Sequence, residues 1–429
     1  MTGARAAALA VLESVGAGNP LDNAFDGTEE KYFAGMPPRD RAFARLMVLT
    51  TLRRRGQIDD AIAKCLDHPL APKYRTEREI LRLGAAQILF LGTKAHGAVD
   101  QTVATAERSP LRGMINAVLR RLTREGSIIT KSQDAPRLCT PDWLWAQWIG
   151  AYGEPSTRAI ALGHLNQPPL DVTVKSDPDG WAERLGGTVT PMGSVRVMDA
   201  GPVPKLAGFE DGDWWVQDTA SSIPARLLLE AVKSPDTARI ADLCAAPGGK
   251  TAQLCFSGAT VTSIDRSANR LKRLRKNLVR LNLSVEVIAQ DVTEWNPPAP
   301  FDGVLLDAPC TSTGTIRRRP DILWAKSPAN AEKMSGVQAR LLQAAARMVT
   351  SGGVLVFCTC SLDPREGIDQ IENFLAAHKD FSREVIRPDE VGGLGALVTA
   401  RGDLRTLPSH LADQGGMDGF FSARLRRKA

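Results

Sequence analysis

Residues 238–251 read ARIADLCAAPGGKT: a short apolar run, Arg239–Leu243, breaks into the glycine-rich loop Cys244–Thr251 and leads into a helix. The same alternation continues downstream. Strand Thr260–Ile264 leads to Asp265 and a helix over Ala268–Leu281, and strand Val285–Ala289 ends at Asp291. Strand Phe301–Leu306, a long loop, the helix Ala331–Met348, strand Gly353–Phe357 and the helix Gly367–Ala377 follow. Strands alternating with helices predict a largely parallel sheet with helices on both faces, an α/β domain of the nucleotide-binding kind. Ligands of such sheets lie at the carboxyl ends of the strands. Two cysteines fall there: Cys310 in Asp307-Ala308-Pro309-Cys310, and Cys360 in Thr359-Cys360-Ser361. Two thiols facing one crevice point to covalent catalysis.

The loop Cys244–Thr251 falls one residue short of the phosphate-binding pattern G-x-x-x-x-G-K-[ST], and Val304–Asp307 resembles a strand ending in a magnesium-binding aspartate. A phosphate-loop NTPase is therefore the competing reading. Against it, Cys244 stands where that loop needs its first glycine, and Pro247 has no N–H to offer a phosphate. Asp265 ends the second strand, where a carboxylate accepts hydrogen bonds from both hydroxyls of a ribose; Asp291 ends the third, where it can meet an adenine amino group. With Asp307 at the next strand end, these carboxylates repel a triphosphate and favour a cationic sulfonium, while the glycines let the backbone approach an adenosine and an amino-acid tail. One such aspartate alone would be an ordinary cap or turn residue; a series is not.

At 429 residues the chain exceeds what one hydrophobic core serves, so two or three domains are expected. Residues 1 to about 130 read as an all-helical bundle, with apolar positions at helical spacing through Ala7–Val15, Ala42–Leu52, Ile80–Leu91 and Met114–Leu122. Residues 131–215 are punctuated by prolines and hold six of the eight tryptophans, which reads as a linker and a small α+β module whose tryptophans are mostly core. The net charge of +6 hides basic clusters at Arg39–Arg55, Arg120–Arg124, Arg270–Arg280, Arg317–Arg319 and Arg424–Lys428, which together tilt towards a nucleic-acid partner. Seven cysteines without regular spacing imply reduced thiols and a cytoplasmic protein, and no apolar segment approaches the roughly 20 residues of a membrane span. Cys358, two residues before Cys360, lacks the partners of a metal site, so no metal is expected.

Asp242–Thr251, Asp307–Cys310 with its continuation TSTGTIRRRPDI (Thr311–Ile322), and Thr359–Ser361 resemble, in that order, the RNA cytosine-5 methyltransferases that use S-adenosylmethionine. The helical start, with Arg39–Phe43 (RDRAF), Ile80–Leu91 (ILRLGAAQILFL) and Asn116–Arg121 (NAVLRR), looks like the NusB-like domain of the bacterial RsmB (Sun/Fmu) type, and Gly415–Phe421 (GGMDGFF) is similar to that group's ending. The likeness covers nearly the whole chain. It implies a Rossmann-like class I methyltransferase domain over 216–429, preceded by a NusB-like RNA-binding domain (1–130) and a small α+β RNA-binding module (131–215). It further implies S-adenosylmethionine held by Cys244, Ala245, Ala246, Pro247, Gly248, Gly249, Lys250, Asp265, Asp291 and Asp307, and small-subunit (16S) ribosomal RNA as the substrate.

Carbon 5 of cytosine is a poor nucleophile until a thiolate adds at carbon 6, so this chemistry needs a cysteine. The residues alone leave open which one. A Pro-Cys pair, as at Cys310, carries the nucleophile in the DNA enzymes; the RNA family uses the Thr-Cys cysteine, which nominates Cys360 and leaves Cys310 to assist adduct release. Asp307 would hydrogen-bond the ring at N3, Lys250 would hold the cofactor's carboxylate or lower a thiol pKa, and Arg317, Arg318 and Arg319 would grip RNA phosphates beside the reacting base. A monomer is favoured. A non-catalytic RNA-binding assembly factor is the third reading, and such a protein would not require both cysteines, Asp307 and Lys250.

Overall fold

Ala7, Ala8, Val11, Leu12 and Val15 line one side of the helix Ala4–Gly16, and the same spacing gives the helices Pro38–Arg53, Arg75–Leu89 and Arg112–Lys131 a buried stripe each. In this computed structural model, which describes residues 3–429, these stripes form the core of a helical unit. That unit does not end near residue 130: it runs to Asn166 and reclaims Ile316–Lys326 from much later in the chain. The proline-rich texture after 131 conceals a long helix, Asp142–His164, broken at Gly153 (φ 76°) just before Pro155. Trp145 and Trp148 on it are buried.

The late segment is fastened to the helical unit by hydrogen bonds. Trp324 Nε1 donates to the Leu52 carbonyl at 2.9 Å, Arg53 Nη2 donates to the Arg317 carbonyl at 2.8 Å, and the Asp321 carboxylate accepts from the Leu21 amide at 3.1 Å. Arg55 lies 4.8 Å over the Trp324 ring. Arg53 and Arg55, at the end of the basic cluster Arg39–Arg55, thus contact residues of their own unit.

The second unit begins with a small antiparallel sheet of β1 (Leu170–Val174), β2 (Thr188–Val189), β3 (Val195–Val197) and β4 (Trp214–Val216), in the order β2-β3-β1-β4. Trp181 and Trp214 are core residues here, as the sequence suggests. Below it lies the large sheet: β5 (Arg239–Leu243), β6 (Thr260–Ile264), β7 (Glu286–Ile288), β8 (Phe301–Asp307), β9 (Val349–Thr359), β10 (Phe381–Arg383), β11 (Leu404–Thr406) and β12 (Phe420–Arg427). The order is β10-β12-β9-β8-β5-β6-β7, with β11 paired to β12. Strands β9-β8-β5-β6-β7 are parallel, as expected, and the chain reverses direction of travel between β5 and β8, which opens a crevice at their carboxyl ends.

The basic tail is a correction. Arg424–Lys428 reads as a polyanion patch, but β12 inserts antiparallel beside β9, and Arg424 is buried with its guanidinium on Glu390 at 2.6 Å and Glu384 at 3.2 Å. Arg426 pairs with Glu384 at 2.7 Å and Arg427 with Asp380 at 3.4 Å. Among the described residues no helix is long and apolar enough to cross a membrane.

The small sheet depends on one buried ion pair. Arg196 donates two 2.7 Å hydrogen bonds to Asp171, and neither side chain is more than 1 % exposed. Arg196→Met strands that carboxylate and should cost about 3–5 kcal/mol of stability, read from urea unfolding of the intact chain. A loss below about 1 kcal/mol would mean that the pair does not hold this sheet.

Candidate active site

Each strand of the parallel set delivers one group to the crevice. Asp265 directly follows β6, Asp291 lies three residues beyond β7, Asp307 is the last residue of β8, and Cys360 is the first after β9. Together with Cys310 and Cys244 they line one cavity of about 280 Å³. Of the sequence-nominated loop only Cys244 reaches its wall; Ala245 to Gly248 form the turn that leads into the helix Gly249–Phe256. Cys244 (φ 61°) and Ser312 (φ 62°) both hold left-handed backbone, a conformation costly to non-glycine residues and commonest where a site enforces it.

The two sulfurs of Cys310 and Cys360 are 3.4 Å apart. The contact lowers the Cys360 thiol pKa and, with burial, raises that of Cys310 well above the ordinary range, so Cys310 keeps its proton and Cys360 is the readier thiolate. What holds the pair is a residue that went unnoticed in the sequence. Glu366, fully buried, accepts from the Thr311 amide at 2.9 Å, from the Thr311 hydroxyl, from Ser361 Oγ at 2.6 Å and from Gln338 Nε2 at 3.1 Å. Thr311 and Ser361 are the residues directly after the two cysteines. Gln338 also donates to the Pro309 carbonyl at 2.9 Å, and the Gly314 amide donates to the Cys360 carbonyl at 2.9 Å. A side chain on Gly314 would collide with the Gly419 carbonyl at 2.0 Å, so only glycine fits that crossing.

Asp307 is held from two sides. Lys250 Nζ donates to Oδ2 at 2.7 Å, and the Cys358 thiol reaches Oδ1 at 3.6 Å. Burial works against the Lys250 ammonium, but the Asp307 carboxylate outweighs it and raises the Lys250 pKa. Lys250 also contacts Ser221 Oγ at 3.2 Å and does not line the cavity. A role on a ligand carboxylate gains no support from this arrangement; an influence on a thiol does, since the Lys250 charge helps, after the sulfur contact, to lower the Cys360 pKa. Cys358 thus touches Asp307 from the strand that precedes Cys360, and the strand period of two, which puts 358 and 360 on one face, was the available signal.

Asp265 accepts from the Ser267 amide at 2.9 Å and the Ala246 amide at 3.3 Å, with Arg270 at 3.2 Å. Hydrogen bonds from the Thr293 hydroxyl at 2.7 Å and amide at 2.9 Å lower the pKa of Asp291. Both carboxylates are thus held in place at the cavity wall. Arg317–Arg319 belong to the segment incorporated in the helical unit, where Arg317 is 1 % exposed and Arg319 faces Asp22 at 3.5 Å and Asp321 at 3.8 Å. A buried guanidinium cannot grip a solvent-side phosphate.

A family model described as 16S rRNA methyltransferase RsmB/F matches residues 229–426, and one described as the NusB family matches residues 2–124. The ribosomal RNA small subunit methyltransferase B of Thermus thermophilus is 34% identical over 434 residues, spanning 99% of this chain and 97% of its own. Its namesake from Vibrio vulnificus is 34% identical over 394 residues, or 87% of this chain and 90% of its own. The crystal structure of PH0851 superposes with a TM-score of 0.73 at 22% identity over 99% of both chains, a likeness of fold.

Behind the cavity, Asp242 is wholly buried; desolvation pushes its pKa up to about 7, although Thr251 Oγ1 donates to it at 2.5 Å. A carboxyl raised in the folded state contributes stability below its unfolded pKa near 4 and loses it as pH rises towards 7. Asp242→Asn, which never ionises, should therefore gain in melting temperature relative to the parent between pH 5 and pH 8. A pH-independent difference would exclude a raised pKa at Asp242.

Proposed function

The chain belongs to the RsmB/F family of 16S rRNA methyltransferases, and from that premise we propose that it methylates carbon 5 of a cytosine in small-subunit ribosomal RNA through a covalent Cys360–carbon 6 adduct. The observation that carries this reading is the thiol pair 3.4 Å apart, beside the Asp307 carboxylate in a single cavity. Methylation of an exocyclic amine or a hydroxyl would have no use for a thiol nucleophile.

S-adenosylmethionine is the methyl donor, and the donor set of the cavity fits it. Asp265 would take the ribose hydroxyls, Asp291 the adenine amino group, and the loop after β5 the amino-acid tail. Bound there, the sulfonium supplies an electrophilic methyl group.

The protein's own residues do the rest. Cys360 Sγ bonds to carbon 6 of the cytosine, which moves electron density to carbon 5 and to N3. As the thiolate adds, N3 takes up a proton from solvent, and the Asp307 carboxylate, held in place by Lys250 and Cys358, accepts the hydrogen bond of that N3–H. After methylation the carbon 5 proton leaves to a base, the carbon 6–sulfur bond breaks, and its electron pair returns to Cys360. Cys310, adjacent and protonated, assists that release. The base must be unstacked to reach the sulfur, a cost of a few kcal/mol met by contacts to flanking nucleotides. We assign RNA holding in part to the helical unit, whose Arg120 and Arg124 are exposed on the helix Arg112–Lys131.

Cys310→Ala should accumulate a covalent protein–RNA adduct on a denaturing gel, whereas Cys360→Ala should neither form an adduct nor methylate; the opposite pattern would exchange the two roles. Bisulfite sequencing of ribosomal RNA from a strain lacking the gene should show one cytosine restored by the parent and not by Cys360→Ala. If no site is lost, the assignment to ribosomal RNA fails. Glu366→Ala, which releases both cysteine loops, should lower the methylation rate by about 10²-fold with a smaller effect on RNA affinity, since a displacement near 1 Å suffices for such a loss. Equal losses in rate and affinity would point to general unfolding.

A further inference from the structure

We propose that Cys310 and Cys360 form a redox modification site, in which a low-molecular-weight disulfide of the glutathione class converts the two thiols into a reversible intramolecular disulfide. Formation of the bond rests on geometry; that it silences methyl transfer rests on the function proposed above.

The sulfurs stand 3.4 Å apart, and a disulfide needs about 2.05 Å, so closure requires a shift on the order of 1.4 Å. Neither residue sits inside a helix or a strand: Cys360 follows β9 and Cys310 lies three residues beyond the end of β8, so side-chain rotation and a small loop adjustment suffice. Glu366 bonds the residue after each cysteine and keeps the loops from drifting apart, which raises the effective concentration of one thiol at the other. Both thiols line the cavity, so a reagent reaches them by the route open to a base.

The exchange balances without another oxidant. The Cys360 thiolate attacks one sulfur of the small disulfide, a mixed disulfide forms on Cys360, and the first small thiolate leaves. Cys310 then gives up its proton to solvent and attacks the Cys360 sulfur, and the second small thiolate departs and is protonated. Two protein thiols are oxidised and one small disulfide is reduced to two thiols. The contact leaves Cys360 the more acidic thiol of the pair, which makes it the attacking sulfur and Cys310 the resolving one.

The full-length protein, in parent form and as Cys358→Ala, is equilibrated across ratios of oxidised to reduced glutathione, quenched in acid, alkylated and digested with trypsin. Removing Cys358 makes the location unambiguous, because residues 348–365 form one tryptic peptide carrying both Cys358 and Cys360, whereas residues 281–317 carry Cys310 alone. The expected result is a cross-link between these two peptides with the loss of two hydrogens, rising with the glutathione ratio and abolished by dithiothreitol. Parent methyl transfer should fall in proportion to the cross-linked fraction and return on reduction, while S-adenosylmethionine still raises the melting temperature of the oxidised protein. Oxidation that stops at a glutathione adduct on Cys360, or that proceeds to a sulfinic acid without a cross-link, overturns the proposal. A cross-link that leaves methyl transfer at the reduced rate supports the bond and overturns Cys360 as the nucleophile.

Discussion

One buried carboxylate sets the geometry on which the site depends. Glu366 gathers hydrogen bonds from the residue after Cys310, the residue after Cys360 and Gln338 of the helix Pro328–Met348, so two loops from different strands and one covering helix share a single anchor. Burial raises its pKa, and its partners, Ser361 and Thr311, pull the other way. A carboxylate in such a place is costly unless each lone pair is met, and here most are. The network therefore has one good arrangement. The thiol separation follows from it, and with it the unequal acidity that distinguishes two otherwise similar cysteines.

A second constraint ties the charge of the site to its chemistry. Asp307 shares the cavity with two other carboxylates at strand ends of the same sheet. Lys250, buried and protonated, supplies the compensating charge from behind, at 2.7 Å, without occupying the cavity. Asp242, one strand away and raised to about 7, shows the alternative outcome for a carboxyl that finds only a hydroxyl partner. The same loop that looks like a phosphate cradle thus turns its lysine inward.

The parallel core was legible because its signals are local. Thr260–Ile264 is a strand of the predicted extent, and Phe301–Leu306 extends by one residue to Asp307, since apolar runs bounded by turn residues need no distant information. The aspartates and cysteines were found because strand ends in such sheets face the ligand. The helical unit's extension was not legible: Gly153 and Pro155 interrupt a helix whose burial is decided by distant partners. Nor was β12. Its alternation, with Phe421, Ala423 and Leu425 in the core and Arg424 and Arg426 on the opposite face, obeys the strand period, but the arginines read as a solvated basic run until Glu384 and Glu390 are placed beside them. Glu366 was hidden for the same reason, because a lone glutamate six residues after a cysteine carries no periodicity.

Positive charge is where sequence and structure part most usefully. Arg53, Arg317 and Arg424 are buried, with Arg53 on the Arg317 carbonyl and Arg424 on Glu390, so three of the five basic clusters are partly spent on folding. Exposed charge remains on Arg39, Arg41, Arg45, Arg120 and Arg124 in the helical unit, and on Arg270, Lys272, Arg273, Arg275 and Lys276 of the helix Ala268–Arg280. Long-range attraction to a polyanion depends on exposed charge, since a buried pair is neutral at a distance. The salt dependence of RNA binding therefore reports on these residues, and the buried arginines report on stability. Net charge alone merges the two, and burial separates them.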